Sequence, residues 1–262
     1  MKRRFFLALA AMLLLAAGVT ISCEGDDDNN GDGVPADDDT DSPACDDEGG
    51  AAPTSSAMIP NFSPEYYAEQ SRIYFDTLDS SADPDSIPNY SELVARWEWP
   101  PWLKLTGFGR KNMIRIDKLL RLYPTAVPER DCRAFDVQPF GRCRVVFSYN
   151  GGEPCPIYEE FTFNEYGEVT FIEAWSDLPG FFPADAGDVW AEGPDVQRLS
   201  TRVPGLGTAS GLIDVDGECM REAAAQDEDV ADFVAHAKHF AVAWIINYLD
   251  YGADSFRVGC GW

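Results

Sequence analysis

Residues 157–175 read IYEEFTFNEYGEVTFIEAW, and this stretch decides the fold. Two runs rich in aromatic and β-branched residues, 157–163 and 168–175, flank the polar turn Asn164-Glu165-Tyr166-Gly167. Such runs around a turn that ends in glycine are the pattern of a β-hairpin. Gly167 suits the left-handed position of a type I turn followed by a G1 bulge. With that turn closed, Asn164 faces Glu168. The pairs Phe163–Val169, Phe161–Phe171, Glu159–Glu173 and Ile157–Trp175 then follow on one face of the sheet.

Working outward, residues 133–137 and 142–149 also alternate with period two, and Gly151-Gly152-Glu153-Pro154 reads as a turn. Further upstream the signals are helical. Ser63-Pro64-Glu65 supplies an N-cap, a first-position proline and a first-turn acid, and Tyr67, Gln70, Tyr74 and Leu78 follow at helical spacing. Ser91 predicts the cap of a second, short helix over 92–99, stopped by Pro100-Pro101. Residues 111–122 predict a third, with Ile114, Leu119 and Leu122 buried and Pro124 beyond its end. Helices followed by antiparallel strands make an α+β layer.

That order, with WPPWLKLTG at 99–107 between the second and third helices, resembles the NTF2-like cone fold, in which N-terminal helices pack on a strongly curved antiparallel sheet. GEVTFIEAWSDLPGFF at 167–182 is similar to the SnoaL-type branch, which reads G-x-I, several residues, then D-x-x-G-L-L. The resemblance covers residues 63–183 and implies a domain over 58–183; the Gln-Leu-Gly that follows in the family is missing here. It implies an acid–base role in enol chemistry for Asp177. The hairpin pairing adds Glu173 and Glu159 from the residues themselves. Two carboxylates closing on Phe161, Phe171, Ile157 and Trp175 would push one pKa upward and suit general acid–base work. Those four apolar side chains are the candidate lining for a small, largely apolar ligand. A register differing by one would instead turn Glu159 and Glu173 to solvent, and either could pair with Arg142 or Arg144.

Residues 184–262 form a C-terminal extension outside the resemblance. Gly205–Gly211 lacks the βαβ context of a dinucleotide site and reads as a loop. A long helix over 229–251 carries Val230, Val234, Ala237, Ala241, Trp244, Ile245 and Tyr248 as one apolar stripe, which should pack on the domain or cover its mouth. Asp232, His236 and His239 share the opposite side at a spacing zinc could use; without a fourth ligand they read as a polar helix face.

The chain begins with Lys2, Arg3 and Arg4, an apolar run to Ile21, then Ser22 and Cys23. That is the order of a secretory signal, and Thr20-Ile21-Ser22-Cys23 resembles the lipobox of bacterial lipoproteins, with Thr20 where that family prefers leucine. The resemblance implies removal of residues 1–22, lipidation of Cys23, and anchorage in the bacterial cell envelope. A plain cleaved signal and an uncleaved anchor are the alternatives; the run is near the lower length limit for a membrane span.

Residues 24–57 hold 12 acids and no cation. With few apolar side chains to bury, this segment predicts a disordered tether over 23–57. Within it, DNNGDGVPADDD at 28–39 resembles one thrombospondin type-3 calcium repeat. Asp28, Asn30, Asp32 and Asp39 would ligate Ca²⁺ through side chains and Val34 through its carbonyl. Ala36 replaces an acid, and diffuse cation attraction by an acidic spacer is the preferred reading.

The whole chain has a net charge of −25, which argues against nucleic acid and against electrostatic docking on anionic lipid. Residues 96–144 are locally basic between acidic flanks, as a surface answering acidic neighbours or a patch for an anionic ligand. Seven cysteines fit an oxidising compartment. With Cys23 lipidated, six remain, and their connectivity is open among fifteen. The leading expectation is a lipid-anchored envelope protein whose cone binds a small apolar ligand or a partner. The alternatives are a SnoaL-like isomerase, cyclase or hydratase, and a structural lipoprotein with a filled cone.

Overall fold

The structure is a computed structural model that describes residues 59–99, 107–121, 125–149, 151–176, 187–193, 196–206 and 213–240. These residues all belong to one compact unit, Pro43–Trp262; the signal, Cys23 and the acidic repeat lie outside the described residues.

Helix α1 (Pro64–Leu78) starts where the local chemistry directs. The Ser63 hydroxyl accepts from the Tyr66 N–H, Pro64 occupies the first turn, and Glu65 faces the positive end of the helix dipole. Tyr67, Ser71, Tyr74, Phe75 and Leu78 form its buried stripe.

Residues 92–99, predicted as a second helix, lie instead in and just after strand β1 (Tyr90–Glu98). Both faces of β1 are covered, so the polar–apolar alternation that marks a half-buried strand is absent from its sequence. Ser91 therefore read as a cap, and long-range pairing overrode that local signal. β1 pairs with β2 (Gly107–Phe108) on one side and runs parallel to β6 on the other. Helix α2 (Arg110–Leu120) corresponds to the predicted third helix.

The remaining strands are β3 (Thr125–Ala134), β4 (Gly141–Tyr149), β5 (Pro154–Phe163) and β6 (Val169–Ser176). They complete a six-stranded curved mixed sheet in the order β2-β1-β6-β5-β4-β3. A disulfide joins Cys132 to Cys143 across directly paired positions of β3 and β4. Cys155 and Cys219 are disulfide-bonded too. The fold is α+β, with the helix-on-curved-sheet plan of the cone that the resemblance implied.

The β5–β6 hairpin forms where its sequence predicts. Gly167 has φ +72°, and the Asn164 carboxamide oxygen accepts from the N–H groups of Tyr166 and Glu168. The pairing beyond the turn differs from the expected one. Phe163 is opposite Val169, but Thr162 is opposite Phe171, so Thr170 is an extra residue on β6. This bulge slips every later pair by one. Glu160, not Glu159, faces Glu173; Glu159 faces Ala174, Phe161 faces Ile172, and Ile157 faces Ser176.

The sheet is covered on both sides. On the inner face, α1 and α2 pack on Val145, Phe147, Ile157, Phe161 and Phe163. On the outer face, Ala95, Trp97 and Phe171 meet Leu199, Val203, Leu206 and Ile213, together with helices α3 (Glu218–Gln226) and α4 (Glu228–Lys238). Val230, Phe233 and Ala237 of α4 are its buried stripe, and the Phe233 ring meets Phe171 edge-on at 5.5 Å. The predicted helix over 229–251 is interrupted at His239, and its part beyond residue 240 lies outside the described residues. His236 sits edge-on against Trp97 at 5.6 Å. Among the described residues no His, Cys, Asp and Glu group could hold a metal ion, and no helix is long and apolar enough to cross a membrane.

Candidate functional site

Two sets of buried polar groups lie on opposite faces of the sheet. The inner set is built from four elements: Tyr74 on α1, Tyr90, Arg96 and Glu98 on β1, Asp117 on α2 and Glu159 on β5. Arg96 is 0% exposed and lies at its centre. Its Nη1 donates to the Tyr74 hydroxyl at 2.6 Å, and its guanidinium stands 3.6 Å from both Asp117 Oδ1 and Glu98 Oε1. The Tyr90 hydroxyl donates to Asp117 Oδ2 at 3.4 Å.

Glu159 completes this set at 4% exposure. Tyr74 hydrogen-bonds its carboxyl group, yet Oε2 has no hydrogen-bond partner among the described residues. One arginine thus lies among three buried carboxyl groups. Burial drives the Glu159 pKa well above the usual carboxylate range, against the pull of Arg96, and Glu98 adds to the rise. Burial likewise raises Asp117 to about 6, with Arg96 opposing. Burial thus favours the protonated form of Glu159, beside two tyrosines whose hydroxyl pKa values burial also raises.

The outer set is a row across three strands, Arg142 on β4, Glu160 on β5 and Glu173 on β6, in direct register. Glu173 is 1% exposed. Its Oε1 accepts from the Trp99 indole N–H at 2.6 Å and the Leu199 N–H at 2.7 Å, and its Oε2 from the Ser200 N–H at 3.0 Å. Burial and the neighbouring Glu160 raise Glu173 to about 7 despite these donors. Glu160 receives both Arg198 Nε at 2.7 Å and Nη2 at 2.9 Å, and Arg142 approaches it at 3.5 Å.

The predicted site residues are thereby separated. Glu159 and Glu173 do not face each other, because the bulge at Thr170 slips the register. Ile157 and Phe161 lie in the inner core, whereas Phe171 packs against the C-terminal extension and Trp175 stacks on Tyr158 at 6.1 Å in a separate small cluster. Neither Glu159 nor Glu173 turns to solvent; Glu160 is the acid that pairs with Arg142. Asp177 lies outside the described residues, as do Cys23 and the ligand set Asp28, Asn30, Asp32, Val34 and Asp39.

Sequence reasoning missed Arg96, Asp117, Tyr74 and Tyr90 as one group. One signal was present: Asp117 falls on the same helical stripe as the buried Met113 and Ile116, where a carboxylate needs a partner. Arg96 was hidden by the helical reading of 92–99. The locally basic middle is largely internal pairing. Arg130 bridges Asp76 and Asp79, Arg110 reaches Glu92 and Glu168, and Arg121 donates to the Asp76 and Ala82 carbonyls.

No protein-family model matches the chain, and no curated protein matches it. Among solved structures it is similar to a protein from Agrobacterium tumefaciens str. C58 described as an isomerase of the SnoaL-like family, at 11% identity and TM-score 0.34, covering 43% of this chain and 97% of that one. It is also similar to an uncharacterised protein with a cystatin-like fold from Silicibacter pomeroyi DSS-3, at 14% identity and TM-score 0.25, covering 46% and 76% respectively. At these scores neither carries an inference about activity, and the architecture rests on the strand order itself.

Proposed function

We propose that the chain is a lipid-anchored cell-envelope protein whose α+β cone is a packed scaffold acting through a partner, not a vessel for a small ligand. One observation carries the choice. Tyr67, Tyr74, Phe75, Phe140, Phe147, Phe161 and Phe163 are all under 2% exposed, and they fill the space between α1 and the sheet. A site that holds a ligand of any size leaves part of its lining accessible. The address rests on Cys23 directly after the apolar run, and the acidic segment that follows serves as spacer. Whether 28–39 also takes Ca²⁺ is tested by calorimetry on a 24–57 peptide; no heat on Ca²⁺ addition retires that ligand set.

Cells labelled with a palmitate analogue test the anchor: label on wild type that disappears in Cys23→Ala supports it, and equal label overturns it. The scaffold reading is tested on purified 58–262 with a panel of apolar fluorescent probes. Saturable binding that raises Tm would overturn it.

A second reading has its own support. Glu159, its pKa raised by burial, hydrogen-bonded to Tyr74 and with one oxygen that has no hydrogen-bond partner among the described residues, next to Asp117 raised to about 6, is the kind of carboxyl arrangement that moves protons near neutral pH. Under that reading the cone opens to admit an enolisable carbonyl compound. Glu159→Gln would then abolish any exchange of its α-protons catalysed by the wild type. The absence of such exchange would leave the scaffold.

A further inference from the structure

Among the described residues, five large apolar side chains stand exposed: Ile59, Phe62, Val137, Tyr166 and Val189. They are not scattered. Tyr166 is at the tip of the β5–β6 turn, 63% exposed. The segment that carries Ile59 and Phe62 is fastened to that turn. Asn61 Nδ2 donates to the Glu165 carbonyl, and Phe62 stacks on Tyr66, whose hydroxyl donates to the Gly167 carbonyl. Val137 is on the neighbouring β3–β4 turn. The next residue, Gln138, donates its carboxamide N–H to the Phe163 carbonyl and accepts from the Phe163 N–H. Val189 precedes Trp190, whose ring meets Phe135 of the same turn at 6.1 Å. All five therefore crown one end of the sheet, the end at which α1 begins, since Tyr67 in its first turn meets both Phe140 and Phe163. The β4–β5 turn at the other end shows only Gly151, Gly152 and Glu153 among the described residues. A gathering of this kind marks a surface that is covered in use.

We propose that this end seats the domain on the bilayer that holds its anchor, with Ile59, Val137 and Tyr166 entering the zwitterionic headgroup region. The proposal rests on the anchored reading above. The point of attachment favours a bilayer over other occupants. The described chain starts at Ile59, inside the patch, so the segment leading back to Cys23 leaves from this end. The 35 residues between Cys23 and Ile59 span at most about 120 Å, so lipid and patch reach one surface without the domain turning over.

The form of the patch agrees. It is carried on an N-terminal segment and two turns, separate short projections rather than a groove, and single side chains sink readily into a soft interface. Tyrosine and phenylalanine rings settle at headgroup level, where an apolar body and a polar tip are both satisfied. Charge then selects the lipid. Glu65, Asp136 and Glu165 lie in the same segments, while the nearby cations are already bound: Arg110 to Glu92 and Glu168, Arg133 to Asp131. Such a rim repels anionic lipid, so burial of apolar surface holds the contact and salt does not weaken it.

The test uses chain 24–262 labelled with meta-fluorotyrosine, with a polyhistidine tag in place of residues 1–23. The tag holds the chain on phosphatidylcholine nanodiscs that contain nickel-chelating lipid and a headgroup spin label. The Tyr166 fluorine line, assigned with Tyr166→Phe, should be lost by paramagnetic broadening. The line of Tyr158, five residues before Phe163 along β5, should survive. Ile59→Ser with Val137→Ser, both at exposed positions, should restore the Tyr166 line and leave Tm unchanged. High salt should not restore it, and added phosphatidylglycerol should. Equal broadening of the two lines, broadening that persists in the double variant, or broadening that anionic lipid strengthens would overturn the proposal. So would a dimer in lipid-free solution that the same double variant dissociates, since the patch would then be an interface between two copies. The tag replaces the lipid, so a chain that is never acylated in cells still gives an answer here, and the palmitate test and this one fail separately.

Discussion

Glu159 and Glu173 stand on opposite faces of one sheet: Glu159 is in register with Ala174, and Glu173 with Glu160. One surplus residue, Thr170, produces this, with its hydroxyl donating to the Thr162 carbonyl. The two acids consequently belong to unrelated networks. A double-mutant cycle of Glu159→Gln and Glu173→Gln should be additive within about 0.5 kcal/mol in urea unfolding. The directly opposed pair Glu160→Gln and Glu173→Gln should deviate by more than that. Strong coupling in the first cycle would contradict the register.

Arg96 is the sole cation of the inner set, against Glu98, Asp117 and Glu159. Arg96→Met should cost about 3–5 kcal/mol, because it strands buried acids, whereas replacing the whole group with matched apolar residues need not. Adding Glu98→Gln and Asp117→Asn to Arg96→Met should recover part of the loss. A triple variant no more stable than Arg96→Met would show that packing around the guanidinium, not charge, sets the cost.

Stability should fall as pH rises from about 4 to 8. Asp117, Glu173 and Glu159 all have folded-state pKa values raised by burial, so the folded chain holds protons that the unfolded chain has released across that range. Asp79 and Asp227, shifted the other way by their hydrogen bonds and arginine partners, act below about pH 4 and give ordinary acid loss there. Melting curves of 58–262 should show Tm highest near pH 4–5. Asp117→Asn should flatten the decline; a Tm that rises from pH 5 to 8 would refute the assignment.

Gly141 opens β4 under helix α1, and a Cβ built there would sit 2.0 Å from the Ser71 hydroxyl oxygen. Ser71 cannot retreat, since it is buried and donates to the Tyr67 carbonyl. Gly141→Ala should therefore destabilise by about 1–3 kcal/mol through overpacking. Gly141→Ala combined with Ser71→Gly should regain most of it. Urea unfolding of the two variants measures both, and an unchanged single variant would mean that α1 lies further from the sheet.

Closing the 11-residue separation between Cys132 and Cys143 should contribute about 3 kcal/mol through the unfolded chain. Cys132→Ser with Cys143→Ser should lower the urea midpoint accordingly. No change would mean the β3–β4 hairpin persists in the unfolded state.

Local rules made several elements legible from the residues alone. Ser63-Pro64-Glu65 starts α1 because capping and dipole terms act within one turn. Asn164–Gly167 closes the hairpin because only glycine takes that backbone angle cheaply. The α+β class, and Val230 and Ala237 as buried positions of the C-terminal helix, were readable for the same reason. The tertiary structure alone decided the rest. Residues 90–98 became a strand because β2 and β6 offered both of its edges a partner, and no local pattern records that. Whether Glu159 meets Glu173 or Glu160 does turned on one bulged residue, since a sheet's side-chain period of two inverts every face for a slip of one. The gathering of Tyr74, Arg96, Asp117 and Glu159 from four elements, and the contacts of Glu160 with Arg198 and of Glu173 with Leu199 and Ser200, are long-range contacts whose cost in chain entropy is met by burial of the whole domain.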